Sequence, residues 1–380
     1  MKKEYLMTPG PTTVPERVLL AMAKPIIHHR MPVFADVLAE VRQGLKKLFR
    51  TEQEVLIFAA SGTGAMEASV SNLLSPGDKA LCIRGGKFGE RWANICSAYG
   101  IVPINIDVEW GKAVDPDVVD SALKKDKDIK IVFGQATETS TGVKHPVKEL
   151  AEVVRKNDRL IVIDGITGVG VFDIRMDEWG IDGLLTGSQK ALMLPPGLAM
   201  LALSERAMKQ AETSKCPKFY FNITREVKKL KENSTLFTPA VSLIIGLKES
   251  LAMMFEERLE NVFARHEKLA KATRAAVMAM GFKLYAASSP SPALTAVLSA
   301  PLDGQKVMKT MRDSYGVTIA GGQDQAKGKI FRISHMGYVD EWNIMLTISA
   351  LERAALELGL DFEMGSGMKS ALQVIMSKDN

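Results

Sequence analysis

Between residues 55 and 164 the sequence alternates short apolar runs with stretches of helical periodicity, and few folds accommodate that pattern. Apolar runs occupy residues 55–59, 80–83, 102–106, 129–133 and 160–164. Helical spacing fills residues 65–74, 88–99, 116–124 and 147–157 between them. A strand covered on both faces reads as a continuous apolar run, because neither face must be polar. Strands alternating with helices therefore predict an α/β fold whose mostly parallel sheet is covered by helices. Two more strands, at 183–186 and 198–203, flank Ser188-Gln189-Lys190 and Pro195-Pro196-Gly197.

Outside this block the pattern changes. Residues 1–30 read as extended, since Thr8-Pro9-Gly10-Pro11-Thr12 cannot hold a regular helix. Phe34, Val37, Leu38, Val41, Leu45 and Leu48 then recur at helical spacing. One long helix is expected over 242–280, with Leu247, Leu251, Met254, Phe255, Leu259, Val262 and Phe263 on a single face, as connector to a smaller domain. The expected division is an extended segment 1–25, a large domain 26–255 and a small C-terminal domain 256–380, with a peripheral stretch from 366 onward.

Composition excludes several functions. Lys plus Arg number 49 and Asp plus Glu 44, and the net +5 is not gathered into a basic run, so nucleic acid is not an expected partner. The apolar runs are shorter than a membrane span, and no signal-peptide pattern precedes the prolines, so a cytoplasmic enzyme without membrane contact is expected. Three cysteines, Cys82, Cys96 and Cys216, without CxxC spacing, and histidines without ligand spacing predict neither disulfides nor a metal site.

Four features bear chemistry. Ser61-Gly62-Thr63-Gly64 stands between a strand and a helix, where glycines bring backbone N–H groups to an anion at a helix N-terminus; a hydroxyl-capped turn is the plainer alternative. Glu67 at the sixth position spoils a GxGxxG fingerprint, so a phosphate suits the turn better than a dinucleotide. Asp164 ends an apolar strand, on the side where open parallel sheets bind ligands, and would hold a cation, a hydroxyl or a protonated ring nitrogen; a helix N-cap or turn residue is the plainer alternative. Lys190 sits in a small-residue turn, where lowered basicity would make it a Schiff-base nucleophile; otherwise it is a solvated turn lysine. Arg332, between apolar residues, either pairs with a carboxylate or faces solvent on an edge strand, and its fork suits two-point grip of a substrate carboxylate.

In chain order these are a phosphate loop, a strand-end aspartate, a lysine and a distant arginine, the parts of a pyridoxal-phosphate site. The chain resembles class V aminotransferases of fold type I, specifically the alanine–glyoxylate/serine–pyruvate (serine–glyoxylate) group, from Thr8-Pro9-Gly10-Pro11 to Phe331-Arg332-Ile333-Ser334. The most specific segments are 61–68, Glu138-Thr139-Ser140-Thr141-Gly142 and 187–197. The resemblance implies a large domain, a smaller α+β domain, and Lys190 as the residue bonded to the cofactor aldehyde. It implies Asp164 against the pyridine nitrogen, and Ser61, Gly62, Thr63 and Gln189 around the phosphate. Phe88 would lie over the ring, Thr139 beside it, with Gly10 and Arg332 toward substrate. It also implies a homodimer with sites at the subunit interface, Thr238 reaching the other subunit's phosphate. The reaction implied is ping-pong transfer from alanine or serine to glyoxylate or pyruvate.

Other readings differ in residues that are visible here. A cysteine desulfurase needs a loop cysteine well beyond the lysine, and Cys216 comes too soon. A nicotinamide oxidoreductase fits neither Glu67 nor the Lys190 segment. Some relatives are labelled as a small subunit of a soluble hydrogenase, but the chain lacks a cysteine cluster for iron–sulfur binding, so that label would describe association. Another donor, such as aspartate, is the alternative within the family. His28-His29-Arg30 is a candidate lining for the site entrance.

Overall fold

The computed structural model describes residues 3–377. Seven strands form the central sheet: β1 (Val55–Phe58), β2 (Lys79–Arg84), β3 (Val102–Asp107), β4 (Ile129–Gln135), β5 (Leu160–Asp164), β6 (Gly183–Gly187) and β7 (Ala199–Leu203). Their spatial order is β1-β7-β6-β5-β4-β2-β3, and β7 alone runs against the rest. All residues of β5, β6 and β7 are buried, as their largely apolar character implies, Asp164 and Thr186 included. Helices cover both faces, among them α1 (Glu16–Met22), α2 (Pro32–Phe49), α3 (Gly62–Leu73) and α4 (Lys87–Ala98).

A second sheet serves the small domain. It orders Lys283–Leu284, Leu294–Leu298, Ile330–Ser334 and Ala320–Gly321, all antiparallel, and has its own apolar core around Phe331, Ile333, Met311 and Leu351. The N-terminal segment bridges the two bodies: Tyr5–Leu6 pairs with Val317–Thr318, and Met7 is buried in the small-domain core.

Three expectations need correction. Residues 1–30 are not wholly extended, because Glu16–Met22 is helical, starting straight after Pro15, with Val18 and Ala21 buried. The expected helix over 242–280 is two helices, Val241–Glu257 and Leu259–Ala279, parted at Arg258 with φ +72°. Glu257 then pairs with Arg265 across the break at 2.7 Å, and Arg265 reaches the Val339 carbonyl at 2.8 Å. The C-terminal stretch is not peripheral: Ser366–Met376 packs on Leu259–Ala279, buries Ala371, and receives an N-terminal cap from the buried Glu352 carboxylate. Among the described residues no helix is long and apolar enough to cross a membrane.

Candidate active site

The turn after β6 presents Lys190. Ser188 fixes this turn, its hydroxyl donating to the Pro195 carbonyl at 2.7 Å and accepting from the Leu198 N–H at 3.1 Å. The N-terminal segment crosses behind the lysine: Thr12 N–H donates to the Gln189 carbonyl at 3.1 Å and Thr12 Oγ1 to the Lys190 carbonyl at 2.8 Å. Lys190 Nζ donates to the Pro9 carbonyl at 2.5 Å. A Cβ on Gly10, where φ is +135°, would stand 2.1 Å from that nitrogen. Only glycine leaves room for the amine there. Burial pulls the lysine down to about 8; Asp164 opposes this, while the Arg332 and Arg91 charges add to it. A larger neutral fraction near neutrality is what a nucleophilic lysine needs.

Asp164 lies at the end of β5, 4 % exposed. One carboxylate oxygen accepts the Ile166 N–H at 2.8 Å, and the other has no protein donor among the described residues. Burial pushes the carboxyl up to about 7; Glu138 pushes the same way, and Arg91 and Lys190 pull against it. A protonated ring nitrogen against the second oxygen would return this carboxyl to its ionised form.

Helix α3 begins at Gly62, three residues before the expected start at 65, so its first turn is built from the glycine-rich motif itself. Ser61 at its N-cap makes no side-chain capping bond and is exposed. Gly62 lies tight against Ile166, with room for a Cβ closed at 2.3 Å, and close to Gly187 beside Gln189. The Gln189 Oε1 and Thr186 Oγ1 atoms are buried without a partner among the described residues. Unused N–H groups at a helix start and the Ser61 and Thr186 hydroxyls are donors suited to a phosphate, and the Gln189 amide would add one with its Nε2 turned toward it. Together with the unpaired Asp164 oxygen and the amine of Lys190, this set of groups fits pyridoxal phosphate.

Phe88 is the second residue of α4 and is half-buried. Arg91, one turn on, places its guanidinium 4.9 Å from the Phe88 ring centre and donates to Thr63 Oγ1 at 2.9 Å. Thr139 exchanges a hydrogen bond with Thr167 through the two hydroxyls at 2.6 Å. Arg332 is not on an edge strand and meets no side-chain carboxylate among the described residues, which leaves the grip on a substrate carboxylate as the expectation still open. It lies on an interior strand, flanked by Leu294–Leu298 and Ala320–Gly321, and two carbonyls rather than a carboxylate hold it: Gly321 at 2.9 Å and Thr139 at 2.7 Å. Burial lowers its pKa to about 10, with Glu138 opposing. Two of its five N–H donors are thus used, and Nη2 has no partner among the described residues.

Lys190, Gly10, Asp164, Arg332 and Thr139 thus gather in one place, with Gln189, Gly62, Thr63 and Phe88 adjoining them. Thr238 is exposed and no contact ties it to this cluster among the described residues. The His28-His29-Arg30 expectation meets a different arrangement: Arg30 donates to Ser234 Oγ at 2.6 Å and the Thr235 carbonyl at 3.1 Å, so it shapes the segment leading to Thr238. His266 accepts the Gly337 N–H at 3.1 Å and faces the Val171 carbonyl, and burial holds it and His335 down near 3, so both are neutral interior rings. Sequence reasoning missed Arg91 and Pro9, and assigned no role to Glu138; a carboxylate inside the run Thr137–Thr141 was the available signal.

Comparison with known proteins gives the family. The Aminotransferase class-V model matches residues 4–345, and the chain belongs to that family. It is 42% identical to the soluble hydrogenase small subunit of Synechococcus sp. over 98% of both chains. It is 37% identical to the L-aspartate–glyoxylate aminotransferase of Paracoccus denitrificans, covering 96% of this chain and 94% of that one. Identity is also 37% to the serine–glyoxylate aminotransferase of Hyphomicrobium methylovorum, covering 97% and 94%. Among solved structures, ureidoglycine–glyoxylate aminotransferase from Bacillus subtilis superposes with a TM-score of 0.93 at 29% identity, covering 99% of each chain. The protein is a pyridoxal-phosphate-dependent transaminase of fold type I.

Proposed function

We propose that the protein transfers the amino group of a small L-amino acid, alanine or serine, to a 2-oxo acid, glyoxylate or pyruvate, in two half-reactions at the Lys190 site. The observation that carries this reading is the pairing of Lys190, its amine near pKa 8, with the interior Arg332, whose Nη2 has no partner among the described residues. When bound, the cofactor supplies an electron sink for the negative charge left at the substrate α-carbon. Asp164 would keep the ring nitrogen protonated through its free oxygen. Ser61, Gly62, Thr63 and Gln189 would hold the cofactor's phosphate, and Phe88 and Thr139 would hold its ring. Arg332 grips the α-carboxylate with its remaining donors, and Gly10 leaves space for the substrate beside Lys190. Lys190 Nζ, the amine beside the substrate, would take the α-proton as general base and hold it for return.

The preference for a small side chain rests on where the cations are. Arg332 is committed to the carboxylate, and Arg91 is engaged with Thr63 and the Phe88 ring. Arg91 spends one of its five N–H donors on Thr63, so a side-chain carboxylate gripped by its others is the alternative that the donor panel tests.

Each site is completed in a homodimer. Leu20, Ile26 and Phe219 are 70, 73 and 72 % exposed, and Phe219 lies against Phe237, next to Thr238. Apolar groups this exposed mark a surface that another chain covers, and a second copy would carry Thr238 to the neighbouring phosphate.

The test is a donor panel read by visible absorbance. L-alanine or L-serine bleaches the cofactor band and glyoxylate restores it, with L-aspartate slower by about tenfold or more, the difference that ~1.4 kcal/mol of barrier makes. A clear preference for aspartate overturns the small-donor reading.

A further inference from the structure

Helix α4 starts without a cap of its own. Gly86 has no side chain, and the first turn leaves the N–H groups of Lys87, Phe88 and Gly89 without helical partners. Residues from a different loop satisfy all three. Lys87 N–H donates to Ser140 Oγ at 3.1 Å, and Phe88 and Gly89 N–H donate to Glu138 Oε2 at 3.2 and 3.0 Å. Gln135 Nε2 adds a longer bond to the same oxygen at 3.3 Å. The other Glu138 oxygen accepts from Ser140 N–H at 3.1 Å and from the Ser140 hydroxyl at 2.5 Å. The carboxylate is fully buried. Burial raises its pKa while the hydrogen bonds act against that. Every hydrogen bond to the carboxylate is donated to it, so the arrangement matches the anion, which the helix dipole also favours. The fit is close: a Cβ on Gly86 would fall 2.6 Å from the Glu138 side chain.

The same loop reaches the other side of the site. Thr139, next in sequence, gives its carbonyl to Arg332 Nη1 at 2.7 Å. We propose that Glu138 is a positioning residue of the active site, one buried carboxylate that sets the Phe88 ring and the Thr139–Arg332 contact at a fixed distance from each other. This rests on the reading above, in which Phe88 faces the cofactor and Arg332 the substrate. Glu138 touches neither; it acts through the α4 backbone and through Thr139. Neither oxygen of Glu138 can be replaced by an amide nitrogen without conflict. In Glu138→Gln the new NH₂ group would oppose either the Ser140 donors or the α4 N–H groups.

The test uses the holoenzyme of wild type, Glu138→Gln and Ser140→Ala, with activity expressed per bound cofactor. Visible circular dichroism of the bound cofactor reports its seating, and kcat and KM are measured for donor and acceptor. Glu138→Gln is expected to halve the dichroism per cofactor and lower kcat about tenfold, the effect of a barrier change of ~1.4 kcal/mol. Ser140→Ala, which deletes one hydroxyl, is expected to lower kcat about threefold, with a matching smaller loss of dichroism. A lower melting temperature with dichroism and kcat unchanged would show a purely structural brace and overturn the proposal. Should Glu138→Gln fail to fold, Ser140→Ala decides in the same terms. Wild-type protein without a cofactor band would overturn the underlying reading instead, before any Glu138 variant is made.

Discussion

Asp164→Asn is expected to stabilise the cofactor-free protein while crippling the enzyme. Burial moves this carboxyl from 3.8 up to about 7. A folded-state value above the unfolded one means its contribution is whole below pH 3.8 and is lost as pH rises to about 7. The gap is roughly three pH units, each worth ~1.4 kcal/mol, so the ionised group costs the cofactor-free fold about 4 kcal/mol at pH 8. Asparagine keeps the carbonyl that accepts the Ile166 N–H at 2.8 Å and nearly the same volume, and so removes the charge alone. The assay is the melting temperature of both cofactor-free proteins between pH 4 and 8.5. The variant's advantage should grow from pH 4 to 7, level off above, and reach several degrees. Added pyridoxal phosphate should raise the wild type more than the variant, since only the carboxylate gains a charge partner. A difference independent of pH, or a variant less stable at pH 8, would refute the reasoning.

Three further outcomes are expected. The rate at which cofactor-free protein captures pyridoxal phosphate, followed by absorbance, should rise with pH and level off near 8 rather than near 10.5, because the neutral amine attacks and burial lowers Lys190. Arg332→Gln should raise KM for amino acid and oxo acid together by roughly 10- to 100-fold, the scale of a hydrogen-bonded charge, with a smaller change in kcat. Gly10→Ala places a methyl 2.1 Å from Lys190 Nζ and should slow cofactor capture roughly 5- to 150-fold at unchanged far-ultraviolet dichroism, as displacement costs of ~1–3 kcal/mol imply.

Much of the frame was legible because it depends on local pattern. Largely apolar runs such as 160–164 and 129–133 announced buried strands, and Pro195-Pro196-Gly197 marked the turn before β7. The break at Arg258 was not legible: Glu256-Glu257-Arg258 contains no glycine or proline, and the left-handed residue is imposed by packing and by the Glu257–Arg265 pair. The burial of residues 366–376 was hidden for a related reason, since their cap comes from Glu352, outside the segment itself. The site divides in the same way. Lys190, Asp164 and the Ser61 turn stand at strand ends, where periodicity alone points. Arg332 was visible as a type of residue, but its two carbonyl partners come from Gly321 and Thr139, contacts that no spacing reveals. Arg91 looked like an ordinary helix arginine until the fold set it against Phe88 and Thr63.

The most direct measurement is where the cofactor is bonded. Protein loaded with pyridoxal phosphate, reduced with borohydride, digested and mapped by mass spectrometry should carry the label on the peptide containing Lys190. The Lys190→Ala variant should carry none. Label on another lysine, or undiminished label in that variant, would contradict the assignment of this site as the centre of transamination.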